Sequence, residues 1–119
     1  MGGTGAAVET FIASQDGPDL LESIGIDRAE AIRASARGAL ADFGAATAWE
    51  FSRRRVAGVE VPVVVLRGSR STAAYRDAAA ALADAIGGAR LAELDAGHMG
   101  PLEDPSGVAA AIRELAPRA

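Results

Sequence analysis

The chain has 119 residues, half of them apolar and 24% charged, with a net charge of −4. That balance supplies enough apolar side chain for a packed core and excludes an intrinsically disordered chain, while the mild acidity argues against nucleic acid or an anionic membrane as the main partner. There are no cysteines, which excludes disulfides, thiolate metal sites and cysteine nucleophiles, and no lysines, so every fixed positive side chain is an arginine.

The first residues, Met1 to Gly5, lack a basic stretch followed by an apolar core and do not read as a secretory signal. The run Gly2-Gly3-x-Gly5 follows no strand and so is not a dinucleotide fingerprint. Val8, Phe11 and Ile12 recur at helical spacing and predict a helix over residues 4–14, stopped by Asp16-Gly17-Pro18. A short helical turn carrying Leu20 and Leu21 follows. Asp27 then stands three residues ahead of Glu30, which predicts a capped helix start at Asp27. Ile32, Ala36, Leu40 and Phe43 continue as one apolar stripe up to a break at Gly44. Trp49 and Phe51 fall in the next connection, ahead of the basic run Arg53-Arg54-Arg55.

The second half changes character. Val61 to Leu66 is a continuous apolar, mostly β-branched run, which predicts a strand buried on both faces; Pro62 is tolerated near its start. This is the longest apolar run, far short of the roughly 20 residues needed to cross a bilayer, so a cytoplasmic protein is expected. Tyr75, Ala79, Leu82 and Ile86 then mark a helix ended by Gly87-Gly88. Leu91 to Leu94 reads as a short strand, followed by the loop Asp95 to Gly100. Asp104-Pro105 opens a last helix, with Asp as cap and Pro as first residue, and Val108, Ile112 and Leu115 as its stripe.

The expected fold class is therefore α/β: amino-terminal helices over residues 1–58, then a β-α-β-α segment over 59–119 whose two strands are parallel, joined by a right-handed crossover. Two parallel strands make a poor sheet alone, so the sheet is expected to be completed by oligomerisation, as a homodimer or with a complementing chain.

The segments "VPVVVLRGS", "STAAYRDAAAALADAIGG" and "ARLAELDAGHMGPLEDP" leading into "SGVAAAIREL" resemble, in that order, the last two strands and helices of the α/β-hydrolase-fold family. The helical residues before them resemble the lid that many members insert ahead of the penultimate strand. The resemblance implies that His98, the chain's one histidine, occupies the position of the general base in a Ser-His-acid triad. Gly97 and Gly100 would give its loop the freedom to aim the ring.

The departures from the family are equally informative. No serine of this chain lies in a Gly-x-Ser-x-Gly elbow, and the frequent Gly-x-x-Asp after the penultimate strand is here Gly68-Ser-Arg-Ser71. One triad member of three remains, so the nucleophile is expected from elsewhere, for instance from another chain, or the histidine does proton-transfer chemistry by itself. The expected ligand is a small apolar or acyl-type molecule, with no cofactor and no metal site. Trp49, Phe51 and Tyr75 are candidates for the apolar walls of its pocket. Arg67 and Ser69, at the carboxyl end of a strand, and Met99, beside the histidine, complete the candidate binding set.

Each assignment has a plainer reading. The three aromatics can be core and His98 an inherited loop residue in a non-catalytic binding module; the arginine run reads as a solvated face and Asp95 as a turn residue. The chain can also be a piece of a longer ester or epoxide hydrolase.

Overall fold

The computed structural model describes residues 3–116; Met1 and Gly2, part of the glycine-rich start, lie outside the described residues, as do 117–119. The fold is mixed α/β and mostly helical, in the order of helices first and a β-α-β passage after them. It divides into two compact units, Met1–Phe51 and Ser52–Ala119.

The first unit is all helix: α1 (Gly3–Asp16), α2 (Leu20–Ser23), α3 (Ile26–Ala34) and α4 (Ala36–Ala48). Its interior is made by Val8 and Ile12 of α1, Leu20 of α2, Ala29 of α3 and Ala36 of α4. Phe11 and Phe43 add a ring contact between α1 and α4, centroids 4.7 Å apart, and Glu9 pairs with Arg33 between α1 and α3. Alanines at the α3 and α4 contacts let the helix backbones approach closely, as expected of a chain with few aromatics.

Two boundaries differ from those predicted. The cap of α3 is Gly25, not Asp27: Gly25 has φ +90°, which a side-chain-bearing residue rarely adopts, so the turn after α2 fixes where the helix begins. Asp27 sits inside the first turn instead, where its charge favours the helix dipole. The single helix predicted up to Gly44 is two, separated at Ser35, whose hydroxyl donates to the Ile32 carbonyl at 2.8 Å and competes with the backbone ladder. Gly44 does not end α4, since a helical glycine costs only about 1 kcal/mol relative to alanine.

The second unit contains α5 (Arg53–Ala57), β1 (Val64–Gly68), α6 (Ala73–Ala85), β2 (Arg90–Leu94), α7 (Gly100–Glu103) and α8 (Pro105–Leu115). The arginine run thus forms a short helix, capped by Ser52, whose hydroxyl accepts the Arg55 N–H. Strands β1 and β2 are parallel and in register from Val64 opposite Arg90 to Gly68 opposite Leu94. Helices α6 and α8 both pack against the pair, and Val65, Ile86, Leu94, Ala96 and Ala111 are its buried apolar residues.

The first strand starts three residues later than predicted. Pro62 has no N–H to give, Val61 is exposed, and the ladder opens with the Arg90 N–H donating to the Val63 carbonyl at 3.0 Å. Nor is the strand fully buried: Val65 and Gly68 are, while Val64, Leu66 and Arg67 are half-buried. Among the described residues no third strand joins the sheet, so each strand pairs on one side only.

Helix α8 begins as predicted, with the Asp104 carboxylate accepting the Gly107 N–H at 2.8 Å and Pro105 first. Its inward face is displaced from the predicted stripe. Ala111 is buried, whereas Ile112 is 61% exposed and Leu115 is exposed too. The reason is close packing at its start, where Gly107 lies against Leu94 and only a small face fits the sheet. Among the described residues no helix is long and apolar enough to cross a membrane.

Candidate functional site

The site forms where the two strands end. Pairing continues past the strands themselves: the Ser69 N–H donates to the Leu94 carbonyl at 2.9 Å, and the Arg70 N–H to the Ala96 carbonyl at 2.9 Å. The two loops that leave the carboxyl end of the sheet are thereby joined. Gly68 is required for that closeness, because a Cβ there would collide with the backbone carbonyls of Ala96 and Gly97.

The loop from Asp95 to Met99 is held from below by α7, an element the sequence reading missed. Its signals were present in Gly100-Pro101, a proline suited to a first helical turn, but a single turn leaves no periodicity to detect. Glu103 closes this turn and folds its carboxylate back, so that Oε2 accepts the Gly97 N–H at 2.7 Å. Asp104 next to it accepts the Asp95 N–H at 3.2 Å while capping α8. Arg70 spans the top of the loop, pairing with Asp95 and placing Nη2 3.3 Å from Glu103 Oε1.

These contacts set the ionisation of the two groups at the ends of the network. Hydrogen bonds to Asp95 and then Glu103 raise the pKa of Arg70 above its ordinary value. The Gly107 N–H, followed by the Ser106 hydroxyl, holds the Asp104 carboxyl below the usual carboxylate value.

His98 emerges from this frame half-buried, directly after β2. Its ring lies against Tyr75 of α6, centroids 4.4 Å apart and planes inclined by 32°. Both rings line a cavity of about 290 Å³. Leu66, Ala79, Leu94 and Val108 give it apolar walls, and Ser71 and Arg67 add polar groups.

Of the residues singled out from the sequence, His98, Tyr75 and Arg67 come together here; Arg67 is also paired with Glu93 at 3.1 Å. Ser69 and Met99 are not among the residues lining the cavity; the Ser69 carbonyl accepts from Arg76 at 3.4 Å, and the Met99 carbonyl accepts from Leu102 at 2.9 Å. Trp49 and Phe51 belong to the first unit, where their rings meet edge to face at 6.0 Å and both stay exposed. Asp95 keeps an exposed side chain that pairs with Arg70. Gly100 sits in the helical first turn of α7, so its value is not conformational freedom but room, a Cβ there coming within 2.8 Å of Leu94.

Glu103 and Arg70 are what the sequence reading undervalued. Neither lies in a recognisable motif, and they meet only because α7 brings Glu103 back under the loop. Among the described residues no three His, Asp or Glu side chains are placed to hold a metal ion. No family model, curated protein or solved structure matches this chain.

Proposed function

We propose that the second unit is the carboxyl-terminal segment of an α/β-hydrolase-type domain and that its cavity takes a small apolar or acyl-type molecule, with His98 as acid and base. The observation that carries this reading is the position of His98. It stands on the first loop after β2, at the carboxyl end of two parallel strands, with its ring in an apolar cavity beside Tyr75. Ligands of open α/β sheets sit at that end of the strands.

The chemistry follows from what the chain holds and lacks. An imidazole takes a proton from a hydroxyl or a carbon acid and returns it to a leaving group. The 119 residues contain no nucleophile elbow. Hydrolysis by a serine or aspartate route therefore needs a nucleophile from outside these residues, while cyclisation or isomerisation of an already activated substrate needs the histidine alone. The open edge of β1 is the place where a second copy or a complementing chain would add its strand.

An activated ester, para-nitrophenyl acetate, tests the catalytic part, since a positioned imidazole accelerates its cleavage without help from a serine. The protein is expected to turn it over, and His98→Gln is expected to lower the rate by about 10²-fold or more. Equal rates for the two proteins would leave the rival reading, a binding module in which the histidine has no catalytic work.

A further inference from the structure

We propose that Glu103 is the positioning residue for His98, acting on the backbone at both sides of it. Ahead of the histidine, the Glu103 carboxylate accepts the Gly97 N–H at 2.7 Å. Behind it, the Glu103 backbone N–H donates to the Met99 carbonyl at 3.2 Å, reinforced by the Leu102 N–H on the same oxygen at 2.9 Å. One residue thus holds the Ala96–Gly97 and Met99–Gly100 peptide groups on either side of His98, whose ring lies against Tyr75.

The other carboxylates of the neighbourhood are engaged elsewhere. Asp104 is committed to the start of α8 and to the Asp95 N–H. Asp95 points outward onto Arg70, its side chain 88% exposed. Glu103 is only 17% exposed, and its second oxygen meets Arg70 Nη2, which steers the first toward Gly97. Arg70 in turn is fixed by its own N–H on the Ala96 carbonyl, so the restraint closes on the loop it serves. A charged acceptor on a half-sheltered N–H is among the stronger hydrogen bonds available to a loop.

This inference rests on the reading that His98 works in the cavity, but its test needs no substrate and so fails separately from ester turnover. The chain has one histidine and one tyrosine, so the nuclear Overhauser contact between their rings is unambiguous. In the full chain, Glu103→Gln keeps an oxygen acceptor for Gly97 and is expected to retain that contact. Glu103→Ala is expected to lose it while the contacts between β1 and β2 persist. A ring contact undiminished in Glu103→Ala, or lost equally in both variants, would overturn the proposal. Should the alanine variant not fold, hydrogen exchange in the unaltered protein decides. The Gly97 amide is expected to exchange about tenfold or more slowly than in an unstructured peptide, as an N–H held by a charged acceptor does. Exchange at the unstructured rate would refute it.

Discussion

At the level of single residues, the site depends on one position where nothing but hydrogen fits. Gly68 ends β1 under the carbonyls of Ala96 and Gly97, and these obstacles are backbone, which cannot rotate out of the way. Gly100 is a contrasting case, since what a Cβ would meet there is the far end of the Leu94 side chain. Gly68→Ala is therefore expected to cost roughly 1–3 kcal/mol of stability, as overpacking of a filled interior does, and to pull the histidine loop off the strand. Thermal unfolding reads the first effect and the His98 ring signals the second. The sequence made the place of His98, on the loop after a short strand, legible. It did not reveal Glu103, whose importance comes from a hydrogen bond to a backbone N–H that leaves no trace in residue type or spacing.

At the level of elements, the strand–helix–strand passage was readable because each piece has strong local signals. Glycines bound the strand, Gly87-Gly88 follows α6, and Asp104-Pro105 opens α8. Errors fell where tertiary contacts overrule local preference. Gly25 took the start of α3 from Asp27, and the inward face of α8 turned toward Ala111 because its first residues press on Leu94. Asp104 carries a consequence for α8 that is open to measurement. Its pKa is lower in the folded chain than its ordinary value, chiefly through the Gly107 N–H. The unfolded chain therefore binds the proton more readily, so the contribution is fully present above the ordinary carboxylate pKa and is lost as pH falls through the folded value. Asp104→Asn, which keeps a side-chain oxygen for the cap, is expected to remove that acid-side dependence while preserving most of the helix at neutral pH. A denaturant midpoint followed from neutral to strongly acidic pH checks this; identical slopes for the two proteins on the acid side would contradict it.

For the molecule as a whole, the described residues contain one two-stranded parallel sheet with α6 and α8 against it. The sequence indicated this shortage of strands, since only two segments had strand character, but nothing in it could say what lies along the free edge of β1. An uncovered strand edge is an invitation to pairing. On the proposed reading a second copy of the chain, or failing that a complementing chain, would supply that cover. Mass in solution, measured across a dilution series, tests this most directly. The account predicts a particle of at least twice the chain mass of 12.0 kDa, with a melting temperature that falls on dilution. A single chain that unfolds cooperatively at a temperature independent of concentration would contradict it.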